Sequence, residues 1–386
     1  MSFNTELYEI PCVLMRGGTS RGLIIKDIDL PKDPIKRDAV ITKIYGSSEN
    51  GQIDGIGGGT SLTSKLAIVG VTELKACDIF YTFGQVDITS QKVDYHVTCG
   101  NMASAVGLYA VEEGFVPLKE GVTTVRIFNT NTERVMEVDV PVKNGEVVQS
   151  GDFEISGVSG AGPEIMVNFV DFGGAITGDL LPTGNITDYI KNEKGEEIEV
   201  SVLDIGNVLV FARASDFSLE GTELSNQINN DSRLSKQIED IRVKCGRMIG
   251  LLGENEVVSP ETHALPKIIL VSEPQNYTDE TEKLIAKNEI NVIGRYITMG
   301  KLHRAFAVSG SIGMAAACKI PGTVPNQVSG HMKNKEITIG HPSGTIKVHV
   351  EIEKTNFGHQ FIKGGTGRTA RRIMEGLAIV PFDLVK

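Results

Sequence analysis

Short apolar runs with alternating polar positions recur along the chain, and each predicts a strand. In the first half they are "RGLIIKD", "SKLAIVGV", "DIFYTFGQVDI", "VDYHVTC", "TTVRIFNT" and "RVMEVDVPV". The second half offers "KIILVSE", "AFAVSG", "KEITIG" and "TIKVHVEIEK". All are rich in Val, Ile and Thr and are bounded by turn-forming residues, as half-buried β-structure requires. Helical spacing is rarer. It predicts helices over 100–113, 224–250 and 280–290, and one following Ser311. Strands and helices interleave irregularly, so the class is α+β. Turn residues concentrate in "LLPTGNITDYIKNEKGEEIEV" at 180–200. The expected division is therefore a domain over 1–185 and a second over 186–386. The last stretch of about 15 residues is free to pack back on the first domain, because domain termini tend to lie near one another.

The two halves echo each other. "VTCGNMASA" lies against "VSGSIGMAA", pairing Cys99 with Ser309, 210 positions later. Downstream, "RIFNTNTERVMEVDV" lies against "TIGHPSGTIKVHVEI", pairing Asn131 with Ser343, 212 positions later. Each copy reads strand, small-residue helix, strand, polar turn, strand. This predicts two pseudo-symmetric domains, each a barrel-like sheet wrapped around a central helix.

A chain of 386 residues is long for one core and suits two domains. Forty per cent hydrophobic and 23% charged residues place it among water-soluble globular proteins. It has no apolar run long enough for a membrane helix, and "MSFNTELYEIPC" lacks the basic and apolar blocks of a secretory signal. Five cysteines at irregular spacing form no CxxC pair or zinc pattern, so free thiols in a cytoplasmic setting and no metal are expected. A net charge of −11 argues against a nucleic-acid partner. It leaves room for a small anionic ligand, provided that a local basic site exists. A homodimer is the default on frequency alone.

If the two central helices meet at a cleft, their N-termini offer free N–H groups to carboxylates. Cys99 at such a start is a candidate acid/base, its thiolate favoured by the helix dipole. Glycines at 100 and 310 permit close approach of a ligand, and the turns "FNTNT" and "GHPSG" would add donors. The bland alternative for Cys99 is a buried structural thiol. Two further segments, "MRGGTSRG" (15–22) and "DGIGGGTSLTSK" (54–65), are Gly/Thr/Ser loops ending in a basic residue. No Gly precedes Lys65 directly, so a P-loop is excluded; surface loops or an anion site using Arg16, Ser20, Ser61 and Lys65 remain. A lysine near other cations in a desolvated cleft can also serve as a base. Near the C-terminus, Arg368 within "KGGTGRTARR" is the arginine best placed to contact a ligand.

Taken together, "IPCVLMRGGTSRG", "QIDGIGGGTSLTSKLAIV", "CGNMASAVG", "TGDLLPTG", "GHPSG" and "GRTARRIMEG" resemble the PrpF family, in that family's order and over essentially the whole chain. The resemblance implies the diaminopimelate epimerase-like fold, two similar domains with the site between them. It implies a cofactor-independent isomerase or tautomerase that moves a proton allylically in an unsaturated di- or tricarboxylate. Methylaconitate, aconitate, methylitaconate and oxalomesaconate are the substrates of that type. Catalysis would rest on Lys65 and Cys99. Substrate contacts would come from Arg16, Thr19, Ser20, Ser61, Gly100, Asn101, Met102, Ser309, Gly310, Ser311, Ser343 and Arg368. The epimerase relatives use two facing cysteines; Ser309 at the second position, whose hydroxyl cannot replace a thiol, favours a one-sided proton shift over stereoinversion.

Chemically, loss of a proton γ to a carboxylate across C=C gives a dienolate, and helix N–H groups and cations can hold its charge. Either Lys65 or Cys99 could be the base, Lys65 being preferred. Two rivals stand beside this reading: an epimerase or racemase of an amino or hydroxy acid, and a non-catalytic tricarboxylate-binding accessory protein.

Overall fold

A computed structural model of the chain describes residues 6–96, 99–155, 158–170, 172–259, 264–304, 306–330, 336–356 and 358–385. They form two compact units, Met1–Asn168 with Gly367–Lys386, and Phe169–Thr366. The turn-rich segment 180–200 lies inside the second unit, where Leu180, Leu181 and Ile186 pack against its core. The expected junction at 185/186 falls inside that unit.

The first unit begins with strands β1 (Leu7–Gly17) and β2 (Ser20–Lys26), helix α1 (Pro34–Tyr45), and strands β3 (Lys65–Val71) and β4 (Ile79–Val86). Helix α2 (Gly100–Glu112) and strands β5 (Gly121–Asn129) and β6 (Arg134–Lys143) follow. Along this series the pairings are antiparallel β1–β2, parallel β2–β3, antiparallel β3–β4, parallel β4–β5 and antiparallel β5–β6.

The second unit contains β7 (Glu197–Asp204), β8 (Val208–Arg213), α3 (Ser232–Met248), β9 (Lys267–Ser272) and β10 (Val292–Thr298). It continues with α4 (Val308–Lys319), β11 (Glu336–His341), β12 (Gly344–Thr355) and β13 (Gly358–Arg368). Its pairings run antiparallel β7–β8, parallel β8–β9, antiparallel β9–β10, parallel β10–β11 and antiparallel β11–β12. The order is that of the first unit, step for step. A last strand, β14 (Ala370–Pro381), returns to the first unit and pairs antiparallel with β1.

Side-chain alternation explains the layering. Val200, Val202, Val208, Val210, Ile268 and Leu270 face α3, while Leu203, Leu209, Phe211, Ile269 and Val271 face α4. Strands buried on both faces read as unbroken apolar runs such as "VLVFA". In the first unit Leu23, Ile25, Leu66 and Ile68 face α1 in the same way. The central helices α2 and α4 are apolar nearly all round and have almost no solvent face. A Cβ on Gly107 of α2 would stand 2.3 Å from Val138, so that helix lies flush on β6. Gly114, at φ 73°, ends α2, and the Phe115 N–H bonds back to Ala110.

Three element predictions fail. The 280–290 stretch holds short strands and a 3-10 turn, Tyr277–Thr278, Leu284–Ile285 and Lys287–Glu289, instead of a helix. "AFAVSG" is no strand, because Val308 already opens α4. The helix over 224–250 is broken into Ser225–Asn229 and α3, since Asp231 caps the second piece through its carboxylate. The expected strand "VDYHVTC" survives as Val93–Asp94, with residues 97 and 98 outside the described residues. Helix α1 was missed, although Asp33 as N-cap and Pro34 at its first position signal a helix start. Among the described residues, no helix is long and apolar enough to cross a membrane. Among them, too, no group of three or more His, Cys, Asp or Glu side chains is placed to hold a metal ion.

Candidate active site

In the first unit, β1 and β2 are joined through Gly18 and Thr19, with Gly17 paired to Ser20. Gly18 has φ 51°, a conformation in which a two-residue hairpin turn favours glycine. A Cβ there would sit 2.2 Å from Asn101 Oδ1, so the hairpin tip rests directly on the start of α2.

Cys99 is the N-cap of α2, in extended conformation and with no side-chain capping bond. The first helical bond runs from Ala103 N–H to the Cys99 carbonyl at 3.1 Å. The N–H groups of Gly100, Asn101 and Met102 precede it and form the positive end of the helix. Cys99 Sγ lies 3.8 Å from the buried Ser20 hydroxyl, and the Tyr81 hydroxyl donates to the Cys99 carbonyl at 3.4 Å. Burial, reinforced by the Cys99 charge, pushes the Tyr81 phenol up and keeps it a donor.

Asn101 organises the turn. Its Oδ1 accepts from Arg368 Nε at 2.9 Å, which orients its amide group. Its Nδ2 then donates to Thr19 Oγ1 at 3.0 Å and Ser20 Oγ at 3.5 Å. Burial lowers the Arg368 pKa and the Cys99 charge opposes the shift; the guanidinium remains a cation beside the thiol. Arg16 donates to the carbonyls of Gly18 (2.9 Å) and Thr369 (2.8 Å), which makes it a brace for the hairpin tip.

Lys65 opens β3. Its Nζ donates to Gln85 Oε1 at 2.9 Å and lies 5.0 Å from the Phe83 ring centroid. Gln85, its cross-strand partner, donates in turn to the carbonyls of Ser61 (3.2 Å) and Ser64 (3.0 Å). Ser61 itself is exposed and reaches the lysine only through that glutamine. The Lys65 backbone is fixed from two sides. The Tyr45 hydroxyl donates to its carbonyl and accepts from Leu23 N–H at 3.0 Å, while a Cβ on Gly22 would come within 1.8 Å of that oxygen.

In the second unit, α4 is capped by Ala307, so the residue equivalent to Cys99 is Ala307, and Ser309 falls opposite Asn101. This corrects the pairing of Cys99 with Ser309; the two small-residue runs align by composition two positions out of step. Asn207, in the tight β7–β8 turn beside Gly206 (φ 63°), donates to Ser309 Oγ at 2.8 Å. That repeats the hairpin-to-helix bond made by Thr19 and Asn101. Sequence reasoning missed Asn207, Gln85 and Tyr45, although "IGN" between two apolar runs is a hairpin signal.

Four predicted contacts need revision. The Met102 side chain is buried in the core. Gly310 faces the Tyr296 ring, 2.7 Å from its own would-be Cβ. The buried Ser311 hydroxyl donates to the Val308 carbonyl and its N–H to Ala307, so neither donor is left for a ligand. Ser343 spends its hydroxyl on the Arg304 carbonyl and its N–H on His341 Nδ1. The "FNTNT" donors are also used internally: Asn131 bonds the backbone of Phe83 and Tyr95.

A thiol and an ammonium in one unit, with helix N–H groups and a guanidinium beside the thiol, equip a protein to hold a carboxylate and pass a proton. A family model described as "PrpF protein" matches residues 7–381, and the chain belongs to that family. It is 41% identical over 378 residues to "3-methylitaconate isomerase" of Eubacterium barkeri, covering 97% of this chain and 98% of that one. It is 33% identical to "2-methyl-aconitate isomerase" of Shewanella oneidensis, covering 97% of each. A crystal structure titled methylitaconate-delta-isomerase matches with a TM-score of 0.90 and 38% identity over 99% of this chain and 98% of that one. The expected α+β class holds.

Proposed function

We propose that this protein is a cofactor-independent, cytoplasmic isomerase that shifts a proton allylically in an unsaturated di- or tricarboxylate, methylitaconate being the first substrate to test. That the chain is an isomerase follows from its relatives. The proton-transfer chemistry rests on one observation above all: an N-cap thiol without a capping bond, beside a hydroxyl and a half-buried arginine.

A substrate carboxylate is held by the first N–H groups of α2 and the Arg368 cation. Lys65, once neutral, removes the proton from the carbon that bears that carboxylate and is allylic to the double bond. The electron pair moves across the double bond and the dienolate charge comes to rest on the carboxylate oxygens. Cys99 or the lysinium returns a proton at the other end. The net result is a displaced double bond with no oxidant or cofactor consumed. Where the double bond is instead re-formed in place, rotation in the intermediate exchanges cis and trans isomers.

The test is proton NMR in D2O with a panel of such acids. Isomerisation of one member with deuterium uptake, abolished in Lys65→Ala or Cys99→Ser, supports the reading. Binding without any exchange refutes it and favours an accessory protein; inversion of an amino acid favours an epimerase.

A further inference from the structure

Both contacts of the Lys65 ammonium are with uncharged groups. Its Nζ donates to Gln85 Oε1 at 2.9 Å and stands 5.0 Å from the Phe83 ring centroid. Among the described residues it takes part in no ion pair. A carboxylate in place of that amide would hold the proton on the lysine, since an opposite charge within about 4–6 Å favours the charged form. The amide oxygen accepts the same bond without a charge. Lys65 and Gln85 face each other across the antiparallel strands β3 and β4, and both are half-buried.

Gln85 can present only its oxygen to the lysine. Its Nε2 donates to the Ser61 carbonyl at 3.2 Å and to the Ser64 carbonyl at 3.0 Å. Turning the amide over would set its oxygen against those two carbonyl oxygens and an N–H group against the ammonium. The two carbonyls therefore select an amide over a carboxylate at this position and fix which way it lies. The orientation matters most once the lysine is neutral. A neutral amine keeps two N–H donors and one lone pair, and the lone pair is the base. An acceptor beside it takes an N–H and leaves the lone pair free; a donor would occupy it.

We propose that Gln85 is the positioning residue for the Lys65 base: locked as an acceptor by the Ser61 and Ser64 carbonyls, it holds the side chain in place and keeps the lone pair available to substrate. This role presupposes that Lys65 is the base of the isomerase. Ser61 then enters the site through its main-chain oxygen, and the exposed loop that carries it helps to set the lysine.

Nuclear magnetic resonance of the full chain carrying carbon-13-labelled lysine, with the Lys65 signal assigned through Lys65→Arg, reads the titration of this lysine without substrate. The pH profile of kcat/KM on the acid that is isomerised reads its reactivity. Gln85→Glu should raise the midpoint of the Lys65 titration by about one unit or more and carry the acid limb of the profile up with it. Activity at pH 7 then falls about tenfold per unit and returns at high pH, a recovery that structural damage does not give. Gln85→Met, of similar length but without an acceptor, should lower kcat about tenfold at every pH, with no upward move of the titration. In both variants the Ser64 carbonyl keeps its bond from Val86 N–H at 3.0 Å, and circular dichroism checks that they fold. A Lys65 titration unmoved in Gln85→Glu, or wild-type kcat in Gln85→Met, overturns the proposal. If no acid is isomerised, the isomerase reading fails by itself, and the titration still decides whether Gln85 governs the Lys65 proton.

Discussion

Tyr45→Phe removes one oxygen atom from the centre of the first unit. The phenol is buried, and burial holds its pKa high, so it stays a donor at any working pH. It bridges β2 and β3 where they begin to run parallel, taking Leu23 N–H and giving to the Lys65 carbonyl. The phenylalanine keeps the ring and its packing and strands both backbone groups. A buried group left without its partner costs about 1–3 kcal/mol, so the pair should cost about 2–4 kcal/mol. For a cooperative unit of this size, that lowers the midpoint of its calorimetric transition by about 5–12 °C. Lys65 should also lose its fixed carbonyl, and displacement of a reacting group by a fraction of an ångström lowers kcat about tenfold or more. Scanning calorimetry and steady-state kinetics on the same preparation test both. A midpoint within about 1 °C of wild type with kcat intact would refute the bridging role of Tyr45.

Other consequences can be checked together. Asn101→Ala deprives Arg368 Nε of its acceptor and frees Thr19, and should lower kcat/KM about thirtyfold, matching a loss of about 2 kcal/mol. Burial, with Arg295 nearby, lowers the His341 pKa to about 4. Its contribution is therefore complete above the ordinary histidine value of about 6.5 and is lost as pH falls from there towards 4, at most about 3 kcal/mol. His341→Gln should flatten the drop in urea midpoint between pH 7 and 4.5, and an unchanged slope would remove this histidine from the account. Burial pushes Cys245 and Cys318 up to about 12 and raises Cys12. Those three thiols are buried and Cys77 and Cys99 are half-buried, so a thiol reagent should titrate Cys77 and Cys99 in the native protein, and Cys99→Ser should leave one.

The strands whose faces alternate, such as Arg134–Lys143, and those bounded by glycine turns were legible in the sequence. So was the start of α2, because "TCGN" puts a small residue where a strand run ends. What was not legible depended on burial from both sides. Helices α2 and α4 carry little amphipathic signal, so α4 opens at Val308, ahead of the start expected after Ser311, and the repeat alignment runs two positions out of step. That error turned Ser309 into the counterpart of Cys99. Segment 280–290 spaces its charges like a helix, yet Asp279 folds its carboxylate onto the N–H groups of Thr281 and Lys283 and makes a turn. Lys65 and Cys99 stood out as isolated chemistry, whereas Gln85, Asn207 and Tyr45 became visible only through pairings distant in sequence.

The contacts that complete the turn at α2 close very long loops. Arg368 meets Asn101 across 267 residues, and Arg16 meets the Thr369 carbonyl across 353. During synthesis on the ribosome, every other residue of the first unit's site has emerged long before Arg368 does. The nascent first unit must wait, its β1 edge unpaired, through the translation of the entire second unit. At 5–20 residues per second that interval is on the order of 10–40 s, a period in which an open apolar strand invites wrong partners. The finished site is thus a late event in the life of the chain, sealed by its final strand.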